Sequence, residues 1–149
     1  MIRVRPVTRG DAAAWLEMRE ALWPEEDLVS HAAEIDQFLA GELRDPLAVL
    51  IAIDERNVPL GFAELSIRNY AEDCVTDRVG YLEGWYVVPE SRRRGIGRAL
   101  VAAAEDWARQ QGCVEFGSDA LIDNQVSTAA HRALGFVETA QIRCFKKDL

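Results

Sequence analysis

The chain has 149 residues, the length of one ordinary domain, and its 49% hydrophobic and 28% charged residues are the proportions of a globular protein rather than a disordered one. Seventeen Lys+Arg against 25 Asp+Glu leave a net charge of −8, which argues against a nucleic-acid partner and favours a cationic one. Three scattered cysteines (Cys74, Cys113, Cys144) and two isolated histidines supply neither a disulfide framework nor a metal-ligand cluster, so no metal is expected. The first residues carry charge without an apolar core, and no apolar run approaches the roughly 20 residues that span a bilayer. The expectation is a single cytoplasmic domain over residues 1–149, with no membrane contact.

In chain order, residues 2–7 alternate like a strand. Residues 8–22 read as a helix, with Thr8 or Asp11 as caps, Ala14, Trp15, Met18 and Leu22 on one face, and Pro24 beyond the end. A second helical pattern covers residues 30–43, with Ile35, Phe38 and Leu39 apolar. Residues 48–53 form a continuous apolar run, 54–59 are turn-like, and 60–67 read as another strand. After a polar loop over 69–78, residues 80–88 are rich in aromatic and β-branched side chains, and Pro89 stops them. From residue 95 to 111 the period becomes helical, with Ile96, Leu100, Ala103 and Trp107 on one face and Gly112 as the C-terminal cap. A short strand over 114–118, a helix over 124–134 stopped by Gly135, and a closing strand over 136–146 complete the chain. The order βααβββαβαβ predicts an α/β fold with a central mixed, mostly antiparallel sheet flanked by helices.

The segment Arg92-Arg93-Arg94-Gly95-Ile96-Gly97-Arg98 lies between the aromatic strand and the long helix. Glycines let a ligand approach the backbone closely, and the first turn of a helix presents unpaired N–H groups at its positive end. Four arginines in an otherwise acidic chain add local positive charge. Read alone, the segment is either an anion site or a solvated basic turn.

Its context is informative. Val87-x-Pro89-x-x-Arg92-x-x-Gly95-x-Gly97 resembles the acyl-CoA signature of the GCN5-related N-acetyltransferases, the GNAT superfamily. That resemblance implies acetyl-CoA as co-substrate, with Trp85, Tyr86 and Val87 flanking the thioester and pantetheine, and Arg93, Arg94, Gly95, Ile96, Gly97 and Arg98 cradling the diphosphate. A dinucleotide site does not fit, because the third glycine of its fingerprint is missing after Gly97. Farther on, Asn124, Ala129, His131, Gly135 and Phe136 resemble a second family element. There Asn124 would contact the cofactor, and His131 stands where members carry the tyrosine that protonates the departing thiolate. Read by itself, His131 is equally a helix-surface or core-edge histidine.

Leu22-Trp23-Pro24, Gly61-Phe62-Ala63, Ser66-Ile67-Arg68, Tyr70, Cys74, Leu82-Glu83-Gly84, Ser118-Asp119 and Leu134-Gly135-Phe136 are similar to the aminoglycoside 6′-N-acetyltransferases. The similarity implies that Trp23, Tyr70, Glu83 and Asp119 line the site of a small cationic amine, that Asp119 or Glu83 takes the amine proton, and that the protein is a homodimer, with an exchanged final strand as one route. Members carry an acidic residue after the Glu-Thr of the closing strand, where this chain has Ala140. Independently of any family, a polycation calls for carboxylates, and Glu25, Glu26, Asp27, Glu34, Asp36, Glu72 and Asp73 cluster in the expected region. Taken singly, each of these carboxylates reads first as a solubilising charge, and Trp23 and Tyr70 read first as core or rim aromatics. Glu83 differs, because an unpaired charge in an apolar strand is costly. Asp119 ends a short strand, where it could instead cap a turn. Three functions stay open: an aminoglycoside 6′-N-acetyltransferase, a related enzyme for a polyamine, amino sugar or peptide N-terminus, and a noncatalytic acyl-CoA- or aminoglycoside-binding module.

Overall fold

The computed structural model describes all of residues 1–149. Five strands form one sheet in sequence order: β1 (Arg3–Pro6), β2 (Ala48–Ile53), β3 (Pro59–Arg68), β4 (Val79–Val87) and β5 (Phe116–Ser118). The first four pair antiparallel, and β5 runs parallel to β4. Between β1 and β2 lie α1 (Ala12–Leu22) and α2 (Leu28–Leu39); α3 (Ile96–Gln110) joins β4 to β5, and α4 (Gln125–Ala133) follows β5.

Alternation along the strands separates two cores, one on each face of the sheet. Leu50, Ala52, Ala63, Leu65 and Leu82 face Ile96, Leu100, Val101 and Ala104 of α3. Val49, Ile51, Ile53 and Phe62 face Trp15 and Met18 of α1 and Ile35 of α2. Strands β2 and β3, covered on both sides, are therefore almost wholly buried, which explains the continuous apolar run of β2.

Two irregularities position the chemistry. In the β3–β4 ladder Glu64 pairs with Gly84 but Leu65 pairs with Leu82, so Glu83 is the extra residue of a β-bulge. A bulge re-aims its side chain out of the regular pleat. The parallel β4–β5 ladder has only three rungs, ending at Leu82–Ser118. Beyond that point the two strands separate, and that edge of β4 faces no strand as far as Val87.

One expectation is corrected. Residues 137–149 are exposed and belong to no strand. A strand needs a neighbour to complete its ladder; this segment pairs with neither β1 nor β5, the two edges of the sheet. Its apolar Val137, Ile142 and Phe145 remain exposed.

Asp11 joins β1 to α1. Its carboxylate accepts two hydrogen bonds from the Arg5 guanidinium (2.7 and 3.0 Å), one from the Thr8 main-chain N–H (2.7 Å) and one from the Thr8 hydroxyl (2.8 Å). The Arg5 bonds foremost, then those of Thr8, outweigh partial burial and lower its pKa from 3.8 to about 2. A lowered carboxyl pKa stabilises the fold above the unfolded value and loses that contribution as pH falls through the folded one. Asp11→Asn is expected to lower stability at pH 7 by about 1–2 kcal/mol in denaturant titration. The gap should close between pH 3.8 and about 2; equal stabilities at pH 7 would refute this account.

Candidate active site

On the α1/α2 face a cavity of about 710 Å³ opens between β3, β4, the end of α1 and the segment before β2. Alternation sends Glu64, Ser66 and Arg68 of β3 toward this face, and the bulge adds Glu83. Trp23, Glu26, Asp45 and Tyr70 complete a wall with four carboxylates and two arginines.

Each arginine is already engaged. Arg68 grips Glu83 through two parallel bonds, Nε–Oε1 at 2.8 Å and Nη2–Oε2 at 2.7 Å, and lies 3.6 Å over the Tyr81 ring. Ser66 donates its hydroxyl proton to the same Oε1. Partial burial alone would raise the Glu83 pKa, but Arg68 and Ser66 together hold it below the ordinary range. Glu83 is thus a fixed anion with spare acceptor capacity at Oε2.

Deeper, Arg19 makes ion pairs with Glu64 (Nε–Oε1, 2.7 Å) and Glu34 (Nη1–Oε2, 2.7 Å), and Trp15 Nε1–H donates to Glu64 at 2.9 Å. Burial dominates at Glu64 and pushes its pKa up despite these partners. Arg19 also stacks over Trp23, its guanidinium carbon 5.1 Å from the ring centroid. His31, fully buried, lies roughly parallel to the same indole and its Nε2–H donates to the Trp23 carbonyl at 3.1 Å. Gly84 makes room beneath, for a Cβ there would sit 2.6 Å from Trp23 Cη2. Trp23 is therefore held from three sides at the cavity wall.

At the end of β5, successive side chains point to opposite faces. Asp119 turns toward the cavity side, where the Tyr81 hydroxyl donates to its Oδ2 at 2.9 Å. Burial foremost, then the Asp119 carboxylate, raises the Tyr81 pKa, so the phenol stays protonated as that donor. Ser118 turns toward α4, with its Oγ 2.7 Å from His131 Nε2. His131 Nδ1 lies 2.7 Å from the Ser127 carbonyl. Because a carbonyl only accepts, Nδ1 carries a proton there, and in the neutral ring Nε2 accepts from Ser118. The imidazole meets Trp85 and Phe136 edge to face, at 5.3 and 5.1 Å.

Across the open edge of β4, Gly95 takes φ +80° as the cap of α3 and Arg93 takes φ +60°. The first helical bond runs from Ala99 N–H to the Gly95 carbonyl (3.0 Å), so the amides of Ile96, Gly97 and Arg98 point out unpaired. Arg92 anchors the turn by donating to the Val87 carbonyl at 2.9 Å. Arg93, Arg94 and Arg98 are exposed and form no ion pair. Trp85 Nε1 is buried without a partner beside Gly97. Free amides, free guanidinium groups and a buried unpaired donor fit a phosphorylated ligand with a polar arm running along β4.

The expected residues thus fall in three neighbouring groups. Trp23, Tyr70 and Glu83 line the cavity, although Tyr70 is exposed and donates to Glu72. Asp119 and His131 stand on either side of the end of β5. Residues 93–98 form the exposed turn, with the Ile96 side chain in the core. Tyr86 turns toward Phe62 on the cavity face, and Asn124 caps α4 by accepting from Ser127 N–H at 3.0 Å. Of the acidic cluster only Glu26 lines the cavity, while Glu34 pairs with Arg19 and Asp27 caps α2. Arg19, His31, Glu64, Ser66, Arg68, Tyr81 and Ser118 were not singled out as site residues. For Glu64 the signal existed: like Glu83, it is a charge within an apolar strand.

This architecture, with its split parallel pair and glycine-capped helix, defines an acyl-CoA-dependent transferase fold. The family model for acetyltransferases of the GNAT family matches residues 13–136, and the chain belongs to that family. It is 56% identical over 146 residues to an aminoglycoside N(6')-acetyltransferase type 1 of Klebsiella aerogenes, covering 98% of this chain and 96% of that one. Among solved structures, AAC(6')-Iy in complex with the bisubstrate analogue CoA-S-monomethyl-acetylneamine matches with TM-score 0.91 and 34% identity, over 100% of this chain and 99% of that one. AAC(6')-IG from Acinetobacter haemolyticus matches with TM-score 0.89 and 38% identity, over 99% of each chain.

Gly84→Val is expected to push the Trp23 indole off its seat and change the near-UV circular dichroism without unfolding the protein. An unchanged aromatic spectrum would show that Trp23 does not depend on Gly84.

Proposed function

We propose that the protein moves the acetyl group of acetyl-CoA directly onto the 6′-amine of an aminoglycoside. The observation that carries this reading is the junction of two sites at one gap in the sheet: an anion-binding turn on the β4–α3 side and an acid-walled cavity on the other. The relatives named for this activity, one of them solved with a coenzyme A–aminoglycoside conjugate, support it.

Bound along β4, acetyl-CoA supplies an acetyl group activated as a thioester. The amides at residues 95–98 and the arginines Arg93, Arg94 and Arg98 hold its diphosphate. Trp85, Tyr86 and Val87 flank the pantetheine arm, Asn124 at the start of α4 adds a polar contact, and a main-chain N–H near Val87 stabilises the developing oxyanion. The polycationic acceptor lies in the cavity, with Trp23 and Tyr70 at its rings and Glu83 accepting from an ammonium group. An ammonium must lose a proton before it can attack. Asp119, with Oδ2 held by Tyr81 and Oδ1 open, takes it directly or through water. Glu83, fixed by Arg68 and Ser66, acts as an anchor. His131, at the end of β5, serves the protonation of the departing thiolate, and holding both substrates in line contributes much of the rate. No cysteine has a histidine partner to make it a nucleophile.

The active form is a homodimer, a reading supported by the exposed apolar side chains of the unpaired C-terminal segment, which a second copy could cover by strand exchange. A cytoplasmic location follows from the need for acetyl-CoA and is consistent with three free cysteines. Ala140 favours a second reading, in which another amine is the natural acceptor, because it adds no carboxylate for a polycation.

Thiol release should depend on both acetyl-CoA and a kanamycin-type acceptor and should vanish with the 6′-hydroxyl analogue; equal turnover with a polyamine would favour the second reading, and no thiol release with any amine would leave only a binding module. Asp119→Asn should lower kcat by about 100-fold or more with little change in acetyl-CoA binding, and native turnover across pH would remove Asp119 as proton acceptor. Gly95→Val, which forces a β-branched residue to φ +80°, should raise the KM for acetyl-CoA at least tenfold. An unaltered KM would count against the turn as the diphosphate site.

A further inference from the structure

The His131 ring has no free nitrogen: Nδ1 meets the Ser127 carbonyl and Nε2 meets Ser118 Oγ, each at 2.7 Å. Nδ1 also lies 3.3 Å from the hydroxyl of Ser127, on α4 itself, so only Nε2 is directed to the end of β5, and a proton passing between this imidazole and that end of the sheet crosses Ser118. That residue holds the last rung of the β4–β5 ladder, opposite Leu82, and its Oγ lies 3.3 Å from the Leu82 carbonyl across the strands. The gap in the sheet opens immediately beyond it. Asp119, the next residue, faces the cavity side.

Acetyl transfer from a thioester to an ammonium releases two protons from nitrogen and gives one to sulfur. The first leaves before attack. The second leaves as the C–N bond forms and the C–S bond breaks, while the departing sulfur needs one at the same moment. We propose that Ser118 is a catalytic residue that carries this second proton, with His131 as its reservoir. As nitrogen gives its proton to Ser118 Oγ, the hydroxyl proton moves to His131 Nε2 and the ring becomes an imidazolium, held by Nδ1–H on the Ser127 carbonyl. The transfer then reverses toward sulfur: Nε2 returns its proton to Oγ as Oγ gives one to the thiolate. Ser118 and His131 end as they began, and only the first proton reaches solvent. The Ser118-to-Nε2 bond of the neutral ring is the arrangement this cycle starts from.

This inference rests on the acetyltransferase reading above, and the native enzyme separates the two. If native protein releases no thiol from acetyl-CoA in the presence of an amine, the functional reading fails; if it does, the variants judge the relay. Ser118→Ala is expected to lower kcat about 100-fold with the KM for acetyl-CoA and its calorimetric affinity within twofold of native. Ser118→Thr, which keeps the hydroxyl, should recover most of the loss. His131→Gln should match Ser118→Ala, and the double variant should be no slower than either single one, because the two act as a unit. Should Ser118→Ala fail to fold, the comparison of Ser118→Thr with His131→Gln decides the matter, the first expected near native and the second about 100-fold slower. A kcat of Ser118→Ala within threefold of native, losses that multiply in the double variant, or a loss seen only in KM would each overturn the relay. So would a mass gain of one acetyl group on native protein incubated with acetyl-CoA alone, since Ser118 would then be a nucleophile.

Discussion

A backbone polar group left without a protein partner needs one from solvent or from a ligand, and this fold leaves such groups along one line. Strand β4 is paired with β5 for three rungs and then continues to Val87 with nothing beside that edge. The line passes to the start of α3, whose first amides are also free. Aromatic packing keeps the edge open: His131 from α4 stands edge to face with Trp85 and Phe136, and Trp85 presses close to Gly97. The functional reading depends on that vacancy in the hydrogen bonding of the sheet.

The opposite face follows a different constraint. The cavity collects carboxylates for a cation but must keep them ionised and in place when no cation is bound. Glu83 meets both needs through Arg68 and Ser66, whereas Arg19 and Trp15 fix Glu64 in place while its burial favours the neutral form. A buried ion pair such as Glu64–Arg19 is weak evidence for stability, since desolvation offsets much of its attraction. Its structural consequence is clearer: Arg19 and His31 both pack against Trp23, so the aromatic wall is seated on neighbouring side chains before any substrate arrives. Preorganisation of this kind lowers the entropy lost on binding.

Much of the fold is legible from periodicity. Helices α1, α3 and α4 and strands β1, β2 and β5 lie within the segments expected for them; α2 begins at Leu28 rather than Ser30, β3 extends one residue beyond 60–67 at each end, and β4 begins at Val79 rather than Gly80. The closing strand is the failure. Apolar residues at 136, 137, 142 and 145 between polar ones suit a strand, but a local pattern cannot supply the neighbour that a ladder requires. The site residues divide along the same line. The glycine-arginine turn is local in sequence and could be read directly, as could Glu83, a charge in an apolar strand. Ser118, Tyr81 and Arg68 were not read as site residues, because each gains its role from a partner between 13 and 38 positions away.

The amino-acid order by itself determined the α/β class, the glycine-arginine turn before the long helix and the acidic balance of the chain, because each depends on composition or on spacings shorter than one element. Only the tertiary structure decided that Glu83 sits on a bulge, that Arg68 pairs with it, that the β4–β5 ladder stops at Ser118, and that the Ser118 hydroxyl meets His131. Those facts are set by pairing register and by packing across the sheet, where residues far apart in the chain compete for the same hydrogen bonds.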